Sequence, residues 1–282
     1  MDIKNTQNFL YDKNLVQKLI DLSNLDKKIK VLEIGPGKGI ITKGLLDNGY
    51  KIRAIELDER LYNNLKDNII DDNVEFVKED IMEYVIDEEC NVFSNIPFNI
   101  TTILLEKLLK DFNVIDVYVI MQYEPFLRFS KYDDYLTYKY LLFNPFYEMN
   151  ILYKFKSSDF KPEPKARIIF AGFKKKKNPD ILLDDMNLYL DFISYLFNKK
   201  TKLLFEKIDK LFSGKQKEII KKTLKVEEDI LFTSLKYENI MYLFNTFNKY
   251  ANERNKKIVD GFYKKNLTDN NPHRNFSNKN NW

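Results

Sequence analysis

The 282-residue chain has a single cysteine, Cys90, and a single histidine, His273. One cysteine excludes an internal disulfide framework, one of each falls short of a Cys/His zinc site, and a Cys–His nucleophile would have to pair Cys90 with His273. A Ser-His-Asp arrangement would depend on His273 alone. No run of eighteen apolar residues occurs, and Met1-Asp2-Ile3-Lys4-Asn5 carries no apolar signal segment, so a cytoplasmic protein without membrane spans is expected. The chemistry must therefore rest on carboxylates, amides, aromatics or a bound organic cofactor, and no metal is expected. What is present is a 44% apolar, 31% charged chain, long enough for one large domain and a smaller one. Charge is unevenly spread: residues 1–160 carry 20 Lys+Arg against 27 Asp+Glu, and residues 161–282 carry 26 against 15. An acidic half joined to a basic one suits a polyanionic partner.

Apolar periodicity predicts strands alternating with helices. A helix capped by Asp12 precedes a buried strand, Val31 to Ile34, which runs into Gly35-Pro36-Gly37-Lys38-Gly39. Further strands are expected at Lys51–Leu57, Val74–Val77, Asn91–Asn95 and Val117–Met121, the pattern of βαβ units and a mainly parallel sheet. Ile151–Tyr153 and Ile168–Phe170 read as a hairpin at the sheet edge. From Ile181 onward the pattern is helical, over Ile181–Phe197, Leu203–Phe212, Lys215–Leu224 and Ile230–Tyr250. The expected division is an α/β domain over 1–177, a helical domain over 178–265, and a disordered tail over 266–282 rich in Asn, Asp, Lys and Ser.

Three features carry chemistry. The glycine turn opens a helix at a strand tip, where missing Cβ atoms let backbone approach a ligand. Glu56 and Asp80 end the next two strands. A carboxylate at the first suits the two hydroxyls of a ribose, and one at the second an adenine amino group. The fourth strand ends in Asn95-Ile96-Pro97-Phe98. There, Asn95 Oδ1 and a backbone carbonyl near Pro97 can accept from an exocyclic amine, while Phe98 offers a stacking face worth ~1–3 kcal/mol.

With Gln7-Asn8-Phe9-Leu10, Ala54-Ile55-Glu56-Leu57-Asp58, Glu79-Asp80-Ile81 and Phe160-Lys161-Pro162-Glu163-Pro164, these segments resemble the rRNA adenine N6-methyltransferases over roughly residues 6–250. The resemblance implies a Rossmann-like class I methyltransferase sheet with a small C-terminal all-helical domain. It implies S-adenosylmethionine held by Asn8, Leu10, Gly35, Gly37, Glu56, Asp80 and Asn95, with Asn95, Pro97 and Phe98 at the target base. Phe160 matches an aromatic that closes the other side of the base pocket. Lys165, Arg167 and Lys174 are candidate phosphate contacts of a monomer that binds ribosomal RNA.

Within the family, the macrolide-resistance (Erm-type) branch acting on 23S rRNA is favoured, and the run Tyr140-Leu141-Leu142-Phe143-Asn144-Pro145-Phe146-Tyr147 resembles its counterpart segment. Ile96 stands where the small-subunit enzymes usually have Leu, and Met121-Gln122-Tyr123-Glu124-Pro125 replaces their glutamine-lysine-glutamate stretch. This branch would confer resistance to macrolides, lincosamides and streptogramin B. Two alternatives remain open: a 16S rRNA dimethyltransferase, and a non-catalytic nucleic-acid-binding protein on the same fold.

Overall fold

The computed structural model describes residues 8–131 and 135–268; the expectations for His273 and for the tail beyond Thr268 lie outside these residues. In chain order the elements are β1 (Phe9–Leu10), α1 (Lys13–Ser23), β2 (Lys30–Ile34), α2 (Ile40–Asp47), β3 (Ile52–Ile55), α3 (Glu59–Asn68), β4 (Val74–Val77), β5 (Cys90–Asn95), α4 (Thr101–Lys110), β6 (Val114–Gln122) and α5 (Tyr123–Leu127). They continue with α6 (Tyr138–Phe143), β7 (Tyr147–Lys154), β8 (Phe160–Lys161), β9 (Ile168–Lys175), α7 (Met186–Asn198), α8 (Leu204–Lys207), α9 (Gly214–Leu224), α10 (Tyr237–Tyr250), α11 (Glu253–Val259) and α12 (Phe262–Thr268).

Seven strands form one sheet in the order β4-β3-β2-β5-β6-β9-β7, parallel from β4 through β6, with β9 antiparallel to both of its neighbours. The central strands β2 and β5 are almost wholly buried, which explains their continuous apolar runs. Helix starts follow the side chains available. Asp12 accepts from the Asn14 and Leu15 amides to begin α1, and Asp58 accepts from Arg60 and Leu61 to begin α3. The core on one face joins Leu15, Leu19 and Leu45 of α1 and α2 to Val31, Phe93 and Phe170 of the sheet. This is a doubly wound, Rossmann-like architecture. The hairpin expected at the edge is partly so: β7 is the edge, while β9 lies inside, between β6 and β7.

The chain divides into two compact units. The first runs to Ser130 and resumes over Phe146–Asn178; the second takes Lys131–Pro145 and everything from Pro179. One break falls between Asn178 and Pro179, and α6 belongs to the second unit. That assignment has a packing reason: the buried Tyr189 hydroxyl of α7 donates to the Leu141 carbonyl of α6 at 2.7 Å. The second unit has an aromatic core in which Tyr189 and Phe192 pack on Phe244, and Phe192 on Phe247. Three expected helices shorten, α7 beginning at Met186 rather than Ile181. Leu231 forms an isolated bridge with Leu203, so α10 begins at Tyr237, and α8 covers only Leu204–Lys207. At the far end α12 continues through Thr268, so residues 266–268 are helical rather than tail.

Candidate active site

Strand order reverses between β2 and β5, and an open α/β sheet has its crevice at that switch point. The ladder between the two strands ends at Leu32 and Val92. Beyond it the tips part, bridged by the Ser94 hydroxyl, which donates to the Ile34 carbonyl at 2.5 Å. A cleft of about 610 Å³, open to solvent, occupies the gap; its wall includes Asn8, Gly35, Lys38, Asn95, Pro97 and Phe98. Gly35, Asn95, Pro97 and Phe98, singled out from the sequence, thus meet there, as do Asn8 and Leu10 from the chain start.

The glycine turn is shaped by backbone. Gly35 has φ +63° and a Cβ there would meet nothing within 4 Å, so the cleft floor is open at that point. Gly37 has φ +58° and a Cβ would fall 2.8 Å from Cε1 of Phe9. The Phe9 ring therefore lies on the turn, with the Lys38 ammonium 5.1 Å from its centroid. Phe9 was not among the expected site residues; its neighbours Asn8 and Leu10 were. β1 is held in place by a two-residue antiparallel ladder, Phe9 opposite Lys161 and Leu10 opposite Phe160.

Asn95 is fixed by the same strap. Its Nδ2 donates to the Asn8 carbonyl at 2.9 Å. A carbonyl only accepts, so this bond sets which way round the amide sits and leaves Oδ1 as its acceptor end. Of the backbone carbonyls near Pro97, where a second acceptor was expected, that of Pro97 itself already takes the Ile100 amide and the Thr101 hydroxyl, both at 3.2 Å. Phe98 is half-buried beside the cleft. Phe160 is not on it: its ring is 1% exposed and packs on Phe155 at 5.0 Å. A ring with both faces in the core has none to offer a base, so the expected clamp between Phe98 and Phe160 is corrected. Phe160 instead anchors Leu10, and through it β1.

Glu56 and Asp80 lie outside the cleft wall, on the tips of β3 and β4. Glu56 is buried; its oxygens accept from the Gly37 amide at 3.2 Å and the Asp58 amide at 2.9 Å. Burial raises its carboxyl above the usual range, opposed by those two hydrogen bonds. Two oxygens offer four lone pairs, so the carboxylate keeps acceptor capacity for a further donor. Asp80 Oδ1 accepts from the Met82 amide at 2.8 Å. From Asn95 to Asp80 the sites cross four adjacent strand tips, β5-β2-β3-β4, a span of ~14 Å at the usual strand spacing. That length and donor set suit an elongated nucleoside with an amino-acid tail.

Behind the turn lies a residue the sequence reading passed over. Glu33 of β2 is 1% exposed, and neither of its oxygens, nor the Thr42 hydroxyl near it, meets hydrogen-bond geometry with the described residues. Burial pushes its pKa up to about 8, opposed by the nearby Thr42 hydroxyl and amide and helped by the charge of Glu56. The signal was visible as an acid inside a strand buried on both faces.

The basic candidates separate. Lys165 and Arg167 are exposed at the cleft end of the sheet, where Ile168 pairs with Gln122 at the end of β6. Arg167 donates to Glu124 at 2.9 Å and stacks on Tyr123 at 4.3 Å. Lys174 pairs with Asp116, near the start of β6. Six residues along β9 place it ~20 Å away, at the opposite rim. The strand's direction thus sets Lys174, expected beside Lys165 and Arg167 as a phosphate contact, apart from the cleft rim.

A glycine turn at the switch point, acids on the next two tips and an amide-proline-aromatic tip opposite define a class I methyltransferase dependent on S-adenosylmethionine. The open floor at Gly35 and the two-acceptor Glu56 fit that cofactor. The family described as "Ribosomal RNA adenine dimethylase" matches residues 2–249, and the chain belongs to it. It is thus an S-adenosylmethionine-dependent rRNA adenine methyltransferase, and its partner is ribosomal RNA. No helix among the described residues is long and apolar enough to cross a membrane, and those residues hold no group of three or more metal-ligating side chains.

Among curated relatives, the Ribosomal RNA small subunit methyltransferase A of Staphylococcus carnosus (strain TM300) is 33% identical over 232 residues, 77% of this chain and 78% of that protein. The protein of the same name from Mycoplasmopsis pulmonis (strain UAB CTIP) is 30% identical over 216 residues, 75% of this chain and 84% of the other. Two solved structures share the fold at 19% identity. The 23S rRNA methyltransferase ErmE has a TM-score of 0.75, covering 86% of this chain and all of the other. A dimethyladenosine transferase from Plasmodium falciparum has a TM-score of 0.69, covering 86% and 98%. The relatives overturn the expectation of a 23S target and of antibiotic resistance, because they are small-subunit enzymes by name. At 19% identity the ErmE likeness speaks for the fold alone.

Proposed function

We propose that this protein transfers methyl groups to N6 of adenine in small-subunit (16S) rRNA, dimethylating it during ribosome biogenesis. The observation that carries the target is kinship with small-subunit enzymes at up to 33% identity across three quarters of the chain. S-adenosylmethionine, when bound, supplies a methyl group made electrophilic by its sulfonium. Glu56 accepts from the ribose hydroxyls and Asp80 from the adenine amine of the cofactor, while Asn8, Leu10 and Gly35 border its amino-acid portion and Gly37, behind them, holds Glu56 through its amide. Asn95 Oδ1 accepts a hydrogen of the target amine, which keeps the nitrogen lone pair out of the ring and aimed across the cleft. Phe98 stacks on the base, and Pro97 sets the turn that presents it. Orientation then does most of the work, as it does wherever reactants are held in line. A base stacked in an RNA helix is out of reach, so the adenine is splayed out of its stack to enter. Lys165 and Arg167 hold the flanking phosphates at the rim, Arg167 leaving Glu124 to do so.

The test is transfer of labelled methyl to small-subunit particles and to protein-free large-subunit rRNA, followed by mapping of the modified base. Label confined to N6 of small-subunit adenines is the expected result. Label in large-subunit rRNA would refute the target assignment.

A further inference from the structure

The segment between β4 and β5 carries Asp80 yet has no regular structure of its own. It starts with a tight turn, in which the Asp80 carbonyl accepts from the Glu83 and Tyr84 amides, both at 2.9 Å, while the Asp80 side chain takes the Met82 amide. Such a turn leaves its own carbonyls pointing away, in need of donors. Lys107, in the last turn of α4, supplies them: its Nζ donates to the Met82 carbonyl at 3.0 Å and to the Tyr84 carbonyl at 2.6 Å. Further along, Arg53 holds the Tyr84 hydroxyl at 2.9 Å and Asp87 at 2.7 Å, and Asn113 holds the Ile86 carbonyl at 2.7 Å. Lys107 is thus the contact that bears on the turn's own peptides.

The other end of α4 closes the target loop. The Thr101 hydroxyl donates to the Pro97 carbonyl at 3.2 Å, immediately after Asn95-Ile96-Pro97-Phe98. Six residues, ~9 Å of helix, therefore separate a contact that shapes the target-base tip from one that shapes the Asp80 turn. Neither Asp80 nor Asn95 need be touched for α4 to set the distance between them.

We propose that Lys107 is a positioning residue for the cofactor's adenine: its ammonium on the Met82 and Tyr84 carbonyls fixes the Asp80–Tyr84 turn and so aims the Asp80 carboxylate at the exocyclic amine. The proposal rests on the assignment of Asp80 to that amine, and the test separates the two. Calorimetry on the full chain compares S-adenosylhomocysteine with S-inosylhomocysteine, which has a carbonyl where adenine has its amine. Wild type should prefer the adenosyl ligand ~10- to 100-fold, the usual effect of losing a hydrogen bond to a charged acceptor. Lys107→Met should cut the preference below about threefold by weakening the adenosyl ligand while leaving the inosyl ligand within about twofold. Lys107→Arg, which keeps the donors, should retain most of it.

A Lys107→Met protein that keeps the wild-type preference, or that loses affinity for both ligands equally, would overturn the proposal and leave a merely structural lysine. Should that variant fail to fold, Lys107→Gln is read by the same criteria. Asp80→Asn is the control: an undiminished preference there, or none in wild type, overturns the Asp80 assignment and the proposal with it.

Discussion

Alanine at Gly37 and alanine at Gly35 separate two costs that the glycine turn combines. Both residues hold positive φ, +58° and +63°, and an L side chain in that region costs roughly 1–2 kcal/mol. Only at Gly37 would the new Cβ collide, 2.8 Å from Cε1 and 3.3 Å from Cδ1 of Phe9. The ring cannot withdraw freely, because Leu10 beside it is paired to Phe160. Overpacking of that kind adds ~1–3 kcal/mol. Gly35→Ala should therefore lose ~1–2 kcal/mol of stability and Gly37→Ala ~2–5. At the ~2–4 °C per kcal/mol expected for a protein of this size, differential scanning calorimetry resolves the gap. The double variant Gly37→Ala/Phe9→Ala should recover the collision, giving a coupling energy of ~1–3 kcal/mol in the cycle. Equal losses at Gly35 and Gly37, with no coupling to Phe9, would refute the reading that Phe9 lies on the turn.

Glu33 predicts a pH dependence. Its folded pKa of about 8 lies above the ordinary 4.5, so the stability it contributes is fully present below pH 4.5 and lost as pH rises through about 8, at up to ~1.4 kcal/mol per unit. Glu33→Gln should flatten the stability profile in that window; a variant whose profile parallels wild type would contradict the buried-acid assignment. For RNA, Lys165→Ala and Arg167→Ala should each reduce the slope of log affinity against log salt by close to one, with Lys174→Ala leaving it unchanged. Filter binding over a salt series decides it, and a Lys174 effect as large as the others would show that the far rim touches RNA.

Much of the site was legible because its residues end strands. A strand tip at the carboxyl edge of a parallel sheet is a position the sequence marks twice, by an apolar run and by the polar residue that stops it; Glu56 and Asn95 carry that mark, whereas Asp80 lies three residues past the end of β4. What stayed hidden depends on pairings far apart in the chain. Nothing local to Phe9 says that its ring covers Gly37, and a two-residue strand such as β1 has no periodicity to read. Phe160 was assigned by resemblance to the base pocket, yet pairing with Leu10 buries it. The lysine run at 174–177 gave charge without direction, and the antiparallel course of β9 carries it away from the cleft. The mistaken branch has a physical reason too. Ile96 is 1% exposed, so isoleucine in place of leucine reports how the core packs there and not which RNA is bound. Likewise Met121–Pro125 is the end of β6 passing into α5, with Glu124 paired to Arg167.

In the proposed mechanism the Asn8 carbonyl turns the Asn95 amide so that its oxygen holds the target amine in line for transfer. Single-turnover methyl transfer by Asn95→Ala, measured beside its S-adenosylmethionine affinity, tests it most directly. The expected result is a rate at least ~100-fold below wild type, the scale of a misplaced reacting group, with cofactor affinity changed less than ~10-fold, one unpaired hydrogen bond's worth. A rate equal to wild type, or a loss found wholly in cofactor affinity, would contradict it.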